Sequence, residues 1–402
     1  MSLVINTNIS SLNAQNNLTK SQSALSQATQ RLSSGLKINS AADNAAGFAI
    51  SQRYTTQIGG LKQASANASD AINLAQTAGS ALDQVTANLQ AVRDLAVQSA
   101  NGTYTASDRA SMDQEVQQRL AEITRIANQT TFNGKNVLDG SLKTQSFQIG
   151  SDVGQTISVS LGQSVKAHDI GAIGELNTGS LAGAFTNKVA GGAAQTLDLS
   201  KITITDAAGT AHALSGTASS VQDLADAVNS AGISGLSAAV DGNGGVSFYS
   251  NGSFTIKDTG SINTNSTLGA AAQTSIAGAS SVNGGASANN DNVAVATAGG
   301  LDTADVQSVD HANALISRVD VSLKSVADFA AQLGAVQNRF QSTISTVAAQ
   351  TTNLQASQST IQDADFAAET ANLSKANVLQ QAGISVLAQA NSNPQQVLKL
   401  LQ

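Results

Sequence analysis

Apolar side chains recur at alternating intervals of four and three residues through the C-terminal third of this 402-residue chain. The series runs from Ala312 to Ile361, and 12 of its 15 positions are apolar. A sustained 4-3 spacing is the seam of a coiled coil, and fifty helical residues span roughly 75 Å. An ordinary amphipathic helix is the alternative, but seven heptads in register favour a long helix that pairs with another helix.

The N-terminal third contains three more segments with helical spacing. One seam comprises Ala14, Leu18, Ser21, Leu25, Ala28 and Leu32. A second comprises Ile58, Leu61, Ser65, Ala68, Ile72, Ala75, Gly79, Leu82, Thr86 and Leu89. A third helix fits residues 107–128, with Ser107 as N-cap and Met112, Val116, Leu120, Ile123 and Ala127 along one face. An apolar stripe must be buried against a partner, so we expect the two ends of the chain to pack together.

The middle of the chain differs from both ends. Of the 34 glycines, 24 lie in residues 141–300, so common helix breakers are concentrated there. Alternating apolar residues and Asn-Gly or Asp-Gly turns predict a small α+β module within 196–257. Its predicted strands are 196–207, 236–241, 245–250 and 253–257, and its predicted helix is 218–230. Residues 259–300 give only a weak signal of secondary structure.

Charge and residue counts disfavour several functional classes. The net charge of -7 disfavours nucleic acid, and the absence of cysteine excludes thiol and zinc-thiolate chemistry. The three histidines, His168, His212 and His311, are scattered, and the phosphate-loop and H-E-x-x-H zinc motifs are absent. Asp363 and Asp365 stand two residues apart, which suits a helix start or a joint better than a catalytic pair. We expect a protein that is not an enzyme and binds no cofactor or metal.

The two termini carry long stretches without charge. Lys20 is the first charged residue, and 376–398 is a second uncharged run. Both are too rich in Asn and Gln to span a membrane, and no run of 18 apolar residues or secretory leader pattern occurs in the chain. Uncharged leucine-striped helices suit a protein interface, since charges are costly to desolvate. We therefore expect a subunit interface, frayed in the monomer and ordered on assembly, at Leu18, Leu25, Leu32, Leu373, Leu387 and Leu398.

Four segments together resemble bacterial flagellin. They are VINTNISSLNAQNNL near the start, RLSSGLKINSAADNAAGFAIS at 31–51, the 95–140 segment from LAVQSANGTY to FNGKNVLDG, and NLSKANVLQQAGISVLAQANSNPQQVLKLLQ at 372–402. The resemblance is specific, because both ends match in the right order and at the right distance from the termini. The middle matches the family only in being variable.

The resemblance implies a mainly α fold with long terminal helices and an inserted β-rich outer region. Residues 1–40 and 363–402 would form an inner terminal coiled coil, 41–142 and 301–362 a helical rod, and 143–300 the exposed outer region. The implied function is a structural subunit that polymerises into the flagellar filament for swimming. The alternative is a hook–filament junction protein with flagellin-like ends. A flagellin with a protease in its outer region is disfavoured by the missing H-E-x-x-H motif.

The resemblance also implies partners and a location. Flagellins leave the cell through the flagellar type III apparatus and form an extracellular filament. The implied partners are other copies of the chain, an export chaperone, and the cap and hook-associated proteins. Host innate immune receptors are implied as well, whereas nucleic acid and membrane are not.

The residues expected to contact host receptors are assigned by matching this sequence to the family's contact residues, one position at a time. In plants the recognised segment corresponds to 30–51, where Asp43 and Gly47 match the family, although Asn44 replaces an acidic residue. The vertebrate Toll-like receptor contacts the rod helices.

For that second receptor, Leu95, Gln98 and Glu115 match the family's contacts. An expected arginine is Ala91 here, and Arg93 follows two residues later. Positions 91, 95 and 98 share one helical face.

Overall fold

The computed structural model describes residues 8–181, 185, 197–258 and 291–400. Long helices dominate both ends, as the sequence predicts. They are α1 (Ile9–Ser34), α2 (Ala45–Ala100), α3 (Ala106–Gln129), α5 (Val309–Gln362) and α6 (Phe366–Leu400), and a short helix, α4 (Val221–Ser230), lies between α3 and α5. None of these described helices combines the length and apolar character needed to cross a membrane.

The chain forms two compact units. The first contains Met1–Ser69, Phe147–Ile157 and Gln341–Gln402, and the second contains Asp70–Ser146 and Ser158–Phe340. The helices α2 and α5 contribute residues to both units.

In the first unit, α1 packs against α6 and the start of α2 packs against the end of α5. Helix α1 begins at an N-cap, Asn8, whose side chain accepts a hydrogen bond from the Ser11 N–H. It ends at Gly35, whose φ of 70° is the left-handed conformation that closes many helices.

In the second unit, the rest of α2, the helix α3 and the first half of α5 share an apolar core. The largest fully buried side chains of these helices are Leu82, Leu89, Ile123, Leu315, Phe329 and Phe340. Helices α2 and α5 run antiparallel here, since Arg93 pairs with Asp320 and Ser99 donates to the Val306 carbonyl at 2.6 Å.

The predicted seams are confirmed by burial. All 15 positions from Ala312 to Ile361 are buried or partly buried, as are all predicted seam positions of α1 and α2. Gln358 is a polar residue at a seam position, and its side-chain amide has a partner there: it donates to the Thr55 hydroxyl at 2.8 Å.

The predicted start of α3 is wrong by two residues. Thr105, and not Ser107, is the N-cap: its hydroxyl accepts from the Asp108 N–H at 3.3 Å, and the Asp108 carboxylate accepts from the Thr105 N–H at 3.0 Å. This reciprocal capping box satisfies two backbone donors, whereas a cap at Ser107 would satisfy one.

Strands occupy the region between α3 and α5. They are β1 (Thr131–Phe132), β2 (Lys135–Asn136), β3 (Thr144–Gln148), β4 (Thr156–Ser160), β5 (Ile173–Asn177), β6 (Leu197–Asp198), β7 (Ile202–Thr205), β8 (Ala211–Ala213), β9 (Thr217–Ala218), β10 (Leu236–Val240), β11 (Val246–Ser250), β12 (Phe254–Asp258), β13 (Asp291–Val295) and β14 (Thr297–Ala298). Two four-stranded sheets have the orders β10-β11-β5-β14 and β13-β12-β7-β8. The helix α4 packs on β10, and its buried face is Leu224, Ala225 and Val228.

The predicted α+β module is present with different boundaries. The strand expected over 196–207 is broken by a 3-10 turn at Leu199–Lys201, because the Asp198 side chain accepts from the Ser200 N–H at 3.1 Å. Helix α4 begins at Val221 with Ser220 as its cap, three residues after the predicted start. Thr196 and residues 259–290 lie outside the described residues.

Candidate assembly surface

The two terminal helices meet along narrow, complementary seams. On α1 the covered positions are Ser11, Ala14, Leu18, Ser21, Leu25, Ala28, Arg31 and Leu32. On α6 they are Glu369, Leu373, Ala376, Gln380, Gly383, Leu387, Ala390 and Ser392. Seven positions of each series follow the 4-3 spacing, which keeps one stripe of each helix facing the other. Small residues on both seams permit a close approach.

Polar contacts set the direction and register of this pair. The Asn8 side chain donates to the Ala390 carbonyl at 2.8 Å, and the Ser11 hydroxyl donates to the Asn391 side chain at 2.8 Å. At the other end of α1, Arg31 lies 3.9 Å from Glu369. The start of α1 therefore lies beside the late part of α6, and the two helices are antiparallel.

The structure places most predicted interface leucines inside this intrachain seam. Leu18, Leu25, Leu32, Leu373 and Leu387 are each partly buried. Leu18 lies against Gly383, where an added β-carbon would sit 3.4 Å from Leu18 Cδ1. The side chain of the sixth predicted residue, Leu398, lies outside the described residues.

A second set of apolar side chains on these helices faces outward. We call it the terminal apolar surface: Ile9, Leu12, Phe366, Val378, Leu379, Ile384 and Val386. The exposed fractions range from 48% at Leu379 to 69% at Phe366. The sequence carried a signal for these residues, since each is an apolar side chain lying off the 4-3 seam.

A backbone joint follows the terminal pair. Leu36 and Asp363 form an antiparallel bridge, the Lys37 N–H donates to the Gln362 carbonyl at 2.6 Å, and the Ala364 N–H donates to the Gly35 carbonyl at 2.9 Å. Asp365 starts α6, because its carboxylate accepts from the Ala367 and Ala368 N–H groups at 2.9 and 3.2 Å. Asp363 and Asp365 are thus joint and helix-start residues, as predicted.

The two residues matched to the plant receptor lie on either side of the start of α2. The Asp43 carboxylate accepts from the Asn39 and Ser40 N–H groups at 3.1 and 3.0 Å. The hydrogen bond from Ser40, followed by that from Asn39, lowers the pKa of this carboxyl. Gly47 is buried beneath Ile38, where a β-carbon would meet Ile38 Cδ1 at 2.6 Å.

The residues matched to the Toll-like receptor lie on α2 and α3. Gln98 is exposed and donates to the Tyr104 hydroxyl at 3.0 Å, while Leu95 is partly buried. Glu115 is exposed and pairs with Arg119 at 2.7 Å. Arg93, next to the expected arginine position, pairs with Asp320 at 2.7 Å, and this hydrogen bond raises its pKa.

Several titratable side chains form pairs. The three histidines lie next to aspartates: His168 with Asp302, His212 with Asp206, and His311 with Asp305, at 3.0, 3.2 and 2.6 Å. Across the described part of the chain, no three His, Cys, Asp or Glu side chains converge to hold a metal ion.

Comparison with known proteins points to one family. Models of the bacterial flagellin N-terminal helical region and the bacterial flagellin C-terminal helical region match residues 5–143 and 316–401. The chain is 37% identical to the B-type flagellin of Pseudomonas aeruginosa and 36% identical to the flagellin of Salmonella typhimurium, each over 100% of both chains. A solved structure of FliC from Burkholderia pseudomallei is 30% identical, covers 67% of this chain and 99% of that chain, and has a TM-score of 0.38.

Proposed function

The chain belongs to the bacterial flagellin family, and we propose that its terminal apolar surface is where neighbouring subunits join. Its function is that of a structural subunit of the flagellar filament for motility, and it is not an enzyme. The hook–filament junction alternative has less support, since the relatives matched over their full length are flagellins.

The observation that carries this proposal is the outward-facing apolar set on α1 and α6. A two-helix pair covers one stripe of each helix, so side chains such as Leu12, Val378 and Val386 stay in water. Fully burying a side chain of this size contributes roughly 1.5–3 kcal/mol. Seven such groups on each subunit supply a strong driving force for association with another copy.

Three lysine substitutions on α6 test this assignment. Val386→Lys alters the terminal apolar surface, Leu387→Lys alters the intrachain seam, and Gln381→Lys adds the same charge at an exposed polar position. We expect Gln381→Lys monomers to extend filament seeds, as the unmodified chain does. Val386→Lys monomers should retain their helical circular dichroism but fail to extend the seeds.

The same three variants also test whether the seam leucines form the subunit interface. Leu387→Lys should reduce helix content in the monomer, because it opens the α1–α6 pair. Normal extension by Val386→Lys, together with a folded but non-assembling Leu387→Lys monomer, would move the interface to Leu18, Leu25, Leu32, Leu373, Leu387 and Leu398.

The three-part division is also a proposal. The backbone joint between Gly35 and Ala364 supports separating the terminal coiled coil, 1–40 plus 363–402, from the rod, 41–142 plus 301–362. The concentration of strands after α3 supports 143–300 as the exposed outer region.

Export and partners follow from family membership. We infer that the protein leaves the cell through flagellar type III export and meets an export chaperone, cap proteins and hook-associated proteins. An exposed apolar surface is an association hazard before assembly, which supports a chaperone that covers it. Co-purification of the chaperone with the unmodified chain, and its loss with the Val386→Lys chain, would be the expected result.

Receptor recognition is proposed at Asp43 and Gly47 for plants and at Leu95, Gln98 and Glu115 for the vertebrate Toll-like receptor. The exposure of Gln98 and Glu115 supports the second set. Because Arg93 is already paired with Asp320, it is a poor substitute for the missing arginine at position 91.

A receptor-expressing reporter cell tests the second set. Ala91→Arg monomer should signal more strongly than the unmodified monomer, and Gln98→Ala more weakly. Equal signalling by all three proteins would refute these contacts without affecting the filament function.

A further inference from the structure

One arginine holds the turn between α2 and α3. Arg109 lies in the first turn of α3, and its Nε donates to the Ser99 carbonyl at 2.9 Å. Its Nη1 donates to the Tyr104 carbonyl at 2.9 Å, and its Nη2 donates to the Asn101 carbonyl at 3.0 Å. The last carbonyls of a helix have no partner within that helix, and α2 has no basic residue in its own last turn. Arg109 therefore binds carbonyl groups that the end of α2 leaves open.

The same bonds fix the backbone on both sides of Tyr104. The Tyr104 N–H donates to the Asn101 carbonyl at 3.4 Å, while the Tyr104 carbonyl accepts from Arg109. Tyr104 and Arg109 are both partly buried. The position of the Tyr104 side chain is thus set by a turn that Arg109 holds.

The Tyr104 hydroxyl in turn holds an exposed side chain. The side-chain amide of Gln98 donates to this hydroxyl at 3.0 Å, and Gln98 is exposed near the end of α2. A long, flexible side chain loses rotamer freedom when a partner binds it. A glutamine that is already held has less of that freedom to lose, so it makes a better contact residue.

We propose that Arg109 is a positioning residue that acts through Tyr104 and holds Gln98 in the orientation in which Gln98 meets a receptor. The inference rests on the proposed receptor contact at Gln98, and it adds two residues that the family resemblance does not assign. Arg109 needs no contact with the receptor, because each of its three side-chain nitrogens already donates to a backbone carbonyl.

The side-chain amide of Gln98 gives a readout that needs no receptor. In the full-length monomer with isotope-labelled glutamine, its nuclear magnetic resonance signals should differ from those of freely rotating glutamines. Tyr104→Phe removes only the hydroxyl, and Arg109→Lys replaces a planar fork of donors with a single ammonium group. Both variants should move the Gln98 signals toward those of the free glutamines.

Two features keep this measurement specific. Arg125→Lys changes another paired arginine of α3 and should leave the Gln98 signals in place. Tyr104→Phe retains the backbone bonds of Arg109, so it tests the last link even where Arg109→Lys loses stability. Unchanged Gln98 signals in either Tyr104→Phe or Arg109→Lys would overturn the proposal.

A receptor-expressing reporter cell separates positioning from a general loss of structure. We expect Arg109→Lys and Tyr104→Phe monomers each to need about two- to tenfold more protein for half-maximal signalling, the equivalent of ordering one side chain on binding. In a Gln98→Ala background the same two changes should have no further effect. An equal loss in both backgrounds would overturn the proposal, because Arg109 would then act on the fold and not through Gln98.

The two measurements also separate this inference from the receptor contact on which it rests. If Gln98→Ala signals as strongly as the unmodified monomer, the receptor contact at Gln98 fails, and its presentation to a receptor fails with it. The amide signals still decide whether Arg109 positions Gln98 through Tyr104.

Discussion

Ile38 covers Gly47 so closely that a β-carbon on Gly47 would have to displace the end of the Ile38 side chain. A β-carbon on Gly47 would lie 2.6 Å from Ile38 Cδ1, and Ile38 itself is only 4% exposed. This contact packs the segment after the joint onto the first turn of α2. Gly47, which the family resemblance assigns to a receptor epitope, therefore also has a packing role in the free subunit.

We predict that Gly47→Ala destabilises the protein and that Ile38→Val rescues it. The added methyl overpacks the contact at a cost of about 1–3 kcal/mol, partly offset by about 1 kcal/mol of helix propensity. Valine lacks Cδ1, so the double variant should be more stable than the sum of the two single changes predicts. Urea unfolding followed by circular dichroism measures this coupling, and strictly additive effects would contradict the contact.

A buried aspartate on α3 forms hydrogen bonds with the segment that precedes α5. Asp113 is 9% exposed, and its carboxylate accepts from the Val306 N–H at 3.2 Å and from the Gln307 side chain at 3.0 Å. We predict that Asp113→Ala lowers the free energy of unfolding by about 1–3 kcal/mol, because it leaves a buried N–H without a partner. Asp94→Ala removes an exposed carboxylate from α2 and should have little effect in the same urea titration.

The acid stability of the segment after α3 should depend on Asp139. Hydrogen bonds from Ser141 and Asn136, aided by the charge of Lys166, lower the pKa of Asp139 from 3.8 to about 2. A carboxyl with a lowered folded pKa stabilises the fold above pH 3.8, and that stabilisation is lost as the pH falls through about 2. Asp139→Asn should therefore be less stable than the unmodified chain at pH 7, and the difference should shrink between pH 4 and pH 2 in parallel thermal melts. A difference that stays constant over this range would contradict the assignment.

The helices at the two ends of the chain could be predicted because the apolar spacing that specifies them is local and periodic. The series Ala312 to Ile361 specifies a seam without reference to any other residue. The start of α3 could not be chosen as securely, since Thr105 and Ser107 are both good caps. The reciprocal bond between Thr105 and Asp108 decides between them.

The strands and the proposed assembly surface are harder to predict, for different reasons. The strand Ile173–Asn177 pairs with Val246–Ser250, more than 60 residues away, and such a partner leaves no local pattern. On the terminal helices, the 4-3 rule identified the leucines that α1 and α6 bury against each other. Apolar residues outside that rule, such as Leu12 and Val386, are the ones left exposed.

The position at which the outer region is removed should decide whether the remaining helices stay stable. The segment before β5 is part of the second unit's core, because Leu161, Val165 and Ile170 are at most 4% exposed. Hydrogen bonds fix it in place: the Val165 N–H donates to the Leu138 carbonyl at 3.0 Å, and the Leu301 N–H donates to the Ala167 carbonyl at 2.7 Å. We predict that replacing 173–298 with a short linker leaves a folded subunit, whereas replacing 145–298 does not leave one of normal stability.

The difference between the two deletions follows from buried area. The longer deletion removes five further buried Val, Leu and Ile side chains, each contributing roughly 1.5–3 kcal/mol: Ile157, Val159, Leu161, Val165 and Ile170. Urea unfolding should therefore give a clearly lower midpoint for the 145–298 deletion, while the 173–298 deletion stays near the full chain. Electron microscopy of seeded samples should show filaments, thinner than normal, from the shorter deletion. If both deletions unfold at the same midpoint, the 161–171 segment is not part of the core that stabilises the rod helices.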